Sequence, residues 1–517
     1  MTRLSFLALS ILVAFSGFGP TPAGGQQPAA EKPATAAPSA AALAVSMETV
    51  LSDAIRRAAP SVVAISRVAK ADSDAAAVDF SFNVPTLEQP ALDPTAPQYV
   101  PAHFASGVIL SADGLILTCY HALDDPRQHD YHVWWRGQHA EAEVVRTAAT
   151  VLAGDPWTDL AVLKIEAQGL PAMPLGEASS LRQGSLVISL GNPYAIARDG
   201  RASASWGIVS NLQRAARPTG PSSPDDAAGG GAAARQSLAE FGTLIQTDAR
   251  LNLGTSGGAL VDLQGRMVGL TTSLAAVAGY EQAAGYAIAL DAPTRQTIQR
   301  LREGRQPAFG FLGVEPRDNP GGRGARLSRV VPGLAADKAG LVAGDVILAV
   351  DRVPTDGAIE LFRELSRRPA DSQVELLVSR SGPQIQEGQR QIQGGQPQTV
   401  RVRLGKKQLH LAKPGFSQVA EPTWRGARID WASALPPSQL MFSQRPMQAD
   451  LAILRVDPDT AAWRAGLRPG QFVRRFDGQP VSRPDAFYRL AGEAQGDVPI
   501  QIVGSDGRPR RVIVAAQ

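Results

Sequence analysis

Three short segments of this chain carry residue types that, brought together, could activate a hydroxyl for attack on a carbonyl. Leu117-Thr-Cys-Tyr-His121-Ala supplies an imidazole, Thr158-Asp159-Leu-Ala-Val-Leu-Lys-Ile165 a carboxylate, and Asn252-Leu-Gly254-Thr-Ser256-Gly257-Gly258-Ala a serine set among glycines. A serine hydroxyl is a weak nucleophile at neutral pH and needs an adjacent base to take its proton. His121 is the candidate base, and afterwards the acid that protonates a leaving amine. Asp159 would hold the imidazole in one tautomer and stabilise the imidazolium that forms. The tetrahedral intermediate gathers negative charge on oxygen. The backbone N–H groups of Gly254 and Ser256 are the candidate donors to it, and losing one such donor typically costs about 2.7–4 kcal/mol. Gly254 can take backbone angles closed to other residues, and Gly257 and Gly258 let the chain turn away behind the serine.

Each segment alone is ordinary. A Gly-x-Ser-Gly-Gly run is more often a turn than a nucleophile, and the aspartate segment alone is a strand entry. Their order is the informative feature: His, then Asp, then Ser is the order of chymotrypsin-type β-barrel proteases, not of the subtilisin or α/β-hydrolase types. The surroundings agree. From Ser106 to about Ala289, short apolar runs such as Gly107-Val-Ile-Leu110, Leu115-Ile-Leu-Thr118 and Leu186-Val-Ile-Ser-Leu190 alternate with turn residues, the pattern of an all-β barrel or sandwich.

The 517 residues correspond to a prior of three or four domains. Lys+Arg 51 against Asp+Glu 48 leaves a net charge of +3, too near balance to suggest a nucleic-acid binder. Cys119 is the only cysteine, which excludes an intramolecular disulfide and a multi-cysteine metal site. Met1-Thr-Arg3, an apolar run from Leu4 to Phe18 and a small-residue zone with Thr21 and Ala23 at −3 and −1 read as a signal peptide over 1–24. The run is short for a membrane anchor, although an uncleaved N-terminal segment is the one membrane attachment the sequence leaves open. Residues 25–45 read as an Ala/Pro/Gln/Gly tether, 71–104 as a long loop, and 217–236 as a low-complexity insertion. After the strand-rich region, Leu327–Pro354 aligns with Ile453–Pro480, with identities that include Pro332/Pro458, Gly340/Gly466, Gly344/Gly470 and Asp351/Asp477. Two copies of one module of about 100 residues follow the barrel.

The combined motifs resemble the HtrA/DegP family of envelope serine proteases. The resemblance rests on Ser106-Gly-Val-Ile-Leu with His121, Gly154-Asp-Pro-Trp-Thr-Asp159, Gly191-Asn-Pro-Tyr, Ile245-Gln-Thr-Asp-Ala, Gly254-Thr-Ser-Gly-Gly and Gly285-Tyr-Ala-Ile. It covers about residues 46 to 517. It implies a mainly β chain: a chymotrypsin-like double β-barrel over 46–302, then two α+β PDZ-like domains over 308–408 and 415–517. Thr255 stands just before the serine where the family usually has Asn, and Cys119 and Tyr120 fill the two positions before the histidine within which it often has Asn. Leu251 and Leu274 stand at family pocket positions and imply a shallow apolar pocket for small aliphatic side chains. Arg250 stands where trypsin-like enzymes keep an Asp, which argues against cleavage after Lys or Arg; its entering the pocket to pair with an acidic side chain is the alternative.

PDZ domains bind peptides by adding a strand to a sheet edge while backbone amides capture the terminal carboxylate. In the first module Gly310-Phe311-Leu312-Gly313-Val314 matches that loop, with Phe311 and Leu312 toward the side-chain pocket. In the second, Trp424-Arg-Gly-Ala-Arg-Ile429 occupies the place and fits less well, with charge where apolar residues are expected. The resemblance therefore implies an exported, periplasmic or cell-envelope, ATP-independent serine endopeptidase that degrades unfolded or damaged proteins. Its PDZ domains would bind exposed peptide C-termini, and it would assemble as a trimer or larger homo-oligomer. No metal and no cofactor is expected: His129, His132, His139 and Asp130 fall in what reads as an irregular stretch, a poor zinc site. A non-proteolytic peptide-binding chaperone or scaffold, and a regulatory protease with one specific partner, are the rival readings.

Overall fold

The computed structural model describes residues 39–70, 103–136, 143–192, 201–215, 237–252, 254–272, 284–380, 396–409, 415–436, 449–504 and 507–516. The signal-peptide reading, the 217–236 insertion, Leu274 and His139 lie outside them. Residues up to Glu48 form one unit, of which the exposed start of helix α1 (Ala40–Ala58) is described; Thr49–Gln517 form the other. Helix α1 begins inside the stretch read as a tether. Alanine is the strongest helix former, and the Ser39 hydroxyl accepts a bond from the Ala42 amide at the first turn (3.2 Å). No helix among the described residues is long and apolar enough to cross a membrane.

Twelve strands among the described residues form two barrels. Strands β1 (Val62–Ala69), β2 (His103–Ile109), β3 (Leu115–Cys119), β4 (His129–Arg136), β5 (Val144–Asp155) and β6 (Leu160–Ile165) run in the order β5-β4-β1-β2-β3-β6, and β5 pairs with β6 to close the ring. Strands β7 (Leu186–Gly191), β8 (Ser203–Arg214), β9 (Leu244–Thr247), β10 (Ala259–Val261), β11 (Met267–Thr272) and β12 (Gly285–Ala289) close a second ring, β10-β11-β12-β9-β8-β7. Closure removes the sheet edges.

The period of two along a strand explains how the rings meet. In β3, Ile116 enters the first barrel with Val63, Ile109 and Val133, whereas Leu117 and Cys119 join a second cluster. In β6, Ala161, Leu163 and Ile165 point into the first barrel, whereas Leu160 and Val162 join that same second cluster. Ile188, Leu190, Ala259, Val261, Met267 and Leu270 complete it from the other ring. One apolar seam thus glues the barrels together, and the strand ends that flank it come from both. Helix α2 (Ala292–Arg302), N-capped by Asp291 (3.1 Å to the Thr294 amide), adds Ile298 and Leu301 to the seam. Residues 129–136, expected as irregular, are strand β4, in which His129 and Asp130 face opposite ways, one buried and one exposed.

The repeat is matched element for element. Strands β14 (Val314–Asp318), β15 (Ala325–Val330), β16 (Val346–Val350), β18 (Gln373–Ser379) and β19 (Gln398–Arg403) form one sheet in that order, with β17 (Val353–Pro354) on β16. Strands β22 (Ala427–Trp431), β23 (Leu451–Val456), β24 (Phe472–Phe476), β26 (Val498–Val503) and β27 (Pro509–Val514), with β25 (Gln479–Pro480), repeat it. The helices are α3 (Ala335–Lys338) and α4 (Ala358–Ser366) in the first module, and α5 (Ala461–Arg464) and α6 (Pro484–Glu493) in the second. Strands β15 and β23, and helices α3 and α5, sit at the sequence offset of 126 to the residue. Gly340 and Gly466 (φ +76° and +84°) and Gly344 and Gly470 (φ +99° and +86°) share left-handed backbone, which is why these identities mark the repeat. Short strands β13 (Gly310–Phe311) and β20 (Gly405–Lys406) pair with each other, and β21 (Phe416–Ser417), between the modules, pairs with β5 of the first barrel.

In the second module Trp424, Phe476 and Phe487 pack edge to face with centroids 5.0–5.8 Å apart. Phe487→Ala should lower stability by about 3–5 kcal/mol, read as a lower urea midpoint for the transition that reports the buried Trp424.

Candidate active site

The seam joins the imidazole and the carboxylate directly and ties the serine loop to the imidazole strand through Thr271, which bonds both Cys119 and Thr255. His121 lies in the 3-10 turn that ends β3, Asp159 immediately precedes β6, and β3 and β6 pair with Cys119 opposite Leu160. The Asp159 carboxylate accepts from the His121 backbone N–H (2.9 Å) and from Nδ1 (2.8 and 3.0 Å), while the Tyr120 amide donates to the Asp159 carbonyl (3.0 Å). This grip places the ring proton on Nδ1 and leaves Nε2 as the basic nitrogen. The Asp159 side chain is 7% exposed and that of His121 39%, so the bond is shielded on the carboxylate side and open on the imidazole side. Asp159 itself holds φ +59°, a left-handed conformation that Asp tolerates better than most residues.

Asp155 keeps that turn in place. Its Oδ2 accepts from the Thr158 amide (2.9 Å) and hydroxyl (2.6 Å). Burial pushes its carboxyl up to about 6, against the opposing pull of the Thr158 bonds. Trp157, in the same turn, is 2% exposed. It is packed among Phe241 (5.9 Å between centroids), Phe309 (6.4 Å) and Phe362 (6.2 Å). Phe309 and Phe362 come from the first module, and Lys407 Nζ lies over the rings of Trp157 (4.0 Å) and Phe362 (3.8 Å). Gly154, one residue before Asp155, pairs with Phe416 of β21 and accepts a bond from Gln306 Nε2 (3.2 Å). The aspartate turn is therefore clasped by the first module and by the segment joining the two modules.

Ser256 is buried on the loop before β10, and its own carbonyl and those of Gly254 and Thr255 are held. Ser106 Oγ donates to the Gly254 carbonyl (2.7 Å) and accepts from the Asn192 amide (2.7 Å). The Ser106 amide donates to the Ser256 carbonyl (2.8 Å). Thr271 is the second anchor: its Oγ1 donates to the Thr255 carbonyl (2.6 Å), and its own carbonyl accepts from the Gly257 amide (2.8 Å) and the Cys119 thiol (3.4 Å). Peptide planarity then turns the Ser256 N–H away from Thr271. Gly254 (φ +91°) and Gly257 (φ +85°) are both left-handed. A Cβ on Gly254 would lie 2.6 Å from the Phe104 ring, and one on Gly257 would fall on the Ser106 carbonyl and Thr118 hydroxyl. Burial pushes the Cys119 thiol well up, so it stays protonated and donates to Thr271. Cys119, His121 and Asp159 form the one tight His/Cys/acid group found among the described residues. Asp159 is already committed to His121.

At the candidate pocket, half-buried Leu251 lies against Gly285, where a Cβ would be 2.7 Å from Leu251 Cδ1. Arg250 is exposed, and its amide donates to Ser205 Oγ (2.9 Å). In the first module Leu312 is buried in the core and Phe311 is half-buried on β13. Ser106, Thr271, Asp155 and Lys407 escaped the sequence reading. Ser106 and Asp155 lie in segments that carry the family resemblance but were given no role there, and Thr271 and Lys407 touch the site only through the fold.

A trypsin-like peptidase domain matches residues 105–270, and a PDZ domain matches 326–380 and 453–503. Over 413 residues the chain is 30% identical to a probable periplasmic serine endoprotease, DegP-like, from Chlamydia pneumoniae, covering 78% of this chain and 73% of that one. The chain belongs to the HtrA/DegP family of serine endoproteases. A DegP-like relative from Halomonas elongata is 28% identical over 428 residues (77% of this chain, 76% of that one). The periplasmic serine endoprotease DegP of Escherichia coli is 28% identical over 291 residues (54% and 55%). Among solved structures, an HtrA-type protease, AlgW, with a decapeptide shares 25% identity at a TM-score of 0.45, covering 69% of this chain and 98% of that one. This HtrA/DegP chain is a serine endopeptidase, mainly β, with PDZ domains behind its peptidase domain.

Two outcomes follow from the geometry. Ser106→Ala removes the hydroxyl that joins Asn192 to Gly254 and should lower kcat by about tenfold to a hundredfold with KM little changed, since the loss is of transition-state positioning; steady-state kinetics on a peptide substrate check it. Burial pushes the Lys407 amine down from 10.5 to about 7. Below about 7 the folded protein carries a buried ammonium and its cost is fully present; between about 7 and 10.5 only the unfolded chain binds that proton, so stability rises with pH. The Tm of the Ser256→Ala protein should therefore climb relative to that of the Ser256→Ala/Lys407→Met protein across this window. Parallel profiles would contradict it.

Proposed function

We propose that Ser256 is the nucleophile, His121 the general base and acid, and Asp159 the group that orients the imidazole and stabilises the imidazolium, with the Gly254 and Ser256 amides forming the oxyanion hole. The observation that carries this reading is the Asp159 carboxylate bound to both the backbone and the ring N–H of His121 (2.9 and 2.8 Å), beside a serine loop whose carbonyls are tied to Ser106 and Thr271. His121 Nε2 takes the Ser256 proton as Oγ attacks the scissile carbonyl. The imidazolium, held against Asp159, returns that proton to the leaving amine. The acyl-enzyme then passes through the same steps with water as the nucleophile. Half-buried Leu251, with Leu274 as its expected companion, supports a pocket for small aliphatic side chains.

The fuller reading is of an exported, periplasmic, ATP-independent protease of unfolded or damaged envelope proteins that works as a homo-oligomer. It is supported by the periplasmic relatives and by the modules behind the peptidase domain. The peptidase domain spans 46–302 in this reading, and the modules 308–408 and 415–517. The first module delivers chain ends, and its clasp on the aspartate turn links capture to the site.

Unfolded casein should be hydrolysed by the wild-type chain, and Ser256→Ala should lower kcat by about 10⁴-fold or more. Equal rates for the two proteins would end the proteolytic assignment to Ser256.

A further inference from the structure

The two modules present the same sheet edge to a peptide, and one position on that edge differs in kind. Strands β14 and β22 are edge strands. Pro316 pairs with Leu327 and Ile429 with Ile453, each just after a bulge at the same place in the register, so Pro316 and Ile429 are structural counterparts. An extended peptide added to this edge needs an outward N–H there for its first ladder bond beyond the carboxylate loop.

In the second module that N–H is taken. Tyr488 of α6 spans the groove, its hydroxyl accepting from the Ile429 amide (2.9 Å) and donating to the Pro422 carbonyl (2.7 Å). The next outward amide, that of Trp431, donates to the Asp430 side chain (2.8 Å). The loop is closed as well: the Ala427 amide donates to the Trp424 carbonyl (2.8 Å), and the Trp424 amide to the Ala427 carbonyl (2.7 Å). Arg425 is tied to the carbonyls of Val514, Ala515 and Gly496.

In the first module the loop is open but the edge is deficient. The carbonyls of Leu312 and Gly313 accept from the Ala336 and Val331 amides (both 2.9 Å), which turns the Gly313 and Val314 N–H groups the other way, toward an incoming carboxylate. Gly313 holds φ +80°. Pro316, however, has no N–H to give. Phe362, the counterpart of Tyr488 at the same offset, is stacked on Phe241 of the second barrel (4.3 Å between centroids), so the helix side of the groove is engaged as well.

We propose that the first module alone captures chain ends, holding a free carboxylate and the last residue rather than an extended strand, and that the second is a structural module sealed by its own Tyr488. This rests on the peptide-capture reading above and specifies its chemistry. The probes are the tripeptide Ala-Ala-Val, a Gly/Ser-rich decapeptide ending in the same three residues, and that decapeptide amidated, titrated calorimetrically into the full-length Ser256→Ala protein. Tripeptide and decapeptide should bind within about threefold of each other, one per chain, and amidation should abolish binding. Pro316→Ala restores one backbone donor and should favour the decapeptide by about fivefold or more. A wild-type preference of about tenfold for the decapeptide, two peptides per chain, no gain in Pro316→Ala, or no binding at all would each overturn the proposal. Casein hydrolysis by the active protein, measured alongside, separates that failure from a failure of the proteolytic reading.

Discussion

One carboxylate holds the imidazole, and the rest of the site is built around it. Asp159 holds His121 by its backbone and its ring together, so the imidazole is fixed in position and in tautomer by a single group. The rest of the aspartate turn exists to hold that carboxylate where an unconstrained chain would not. Its left-handed backbone and the burial of Asp155 are costs that a folded scaffold sustains and an isolated loop would not, offset by the Thr158 bonds and the packing of Trp157.

The scaffold that sustains them is the seam between the barrels. Alternate residues of β3 and β6 face the second ring, so the imidazole and carboxylate emerge at the edge of an apolar contact whose other wall carries the serine loop. Thr271 shows how closely the walls are joined: it bonds Cys119 on the imidazole strand and three residues of the loop, Thr255, Gly257 and Gly258. Misplacement of either barrel would therefore disturb the oxyanion loop and the imidazole together. The clasp at Trp157 and Gly154 extends the same rigidity to the first module, whose position is thereby felt at the turn that carries Asp159.

Much of this was legible from residue types. Period-two apolar runs marked the barrel strands, and glycines at forced left-handed positions marked both the serine loop and the repeat. The repeat was legible to the residue, because Gly340, Gly344 and their counterparts sit where no other residue fits well. What stayed hidden depended on contacts distant in sequence. Ser106 and Thr271 are ordinary strand residues until the fold places them beside Gly254 and Thr255. Residues 129–136 looked irregular because His, Asp and Trp blur the alternation that buried β4 obeys. Lys407 gave no signal, since a lysine sandwiched between Trp157 and Phe362 is a property of domain docking. The sealing of the second module was only half visible: the charge at Arg425 suggested a poor peptide site, but Tyr488 could be assigned its role only once α6 was laid beside β22.

The most direct test is to treat the native chain with a fluorophosphonate and locate the adduct by mass spectrometry of its peptides. Activation of one hydroxyl by the His121–Asp159 pair predicts a single stoichiometric adduct on Ser256, lost when Asp159 is replaced by Ala. An unmodified Ser256 under conditions where the chain cleaves casein, or an adduct on another residue, would contradict it.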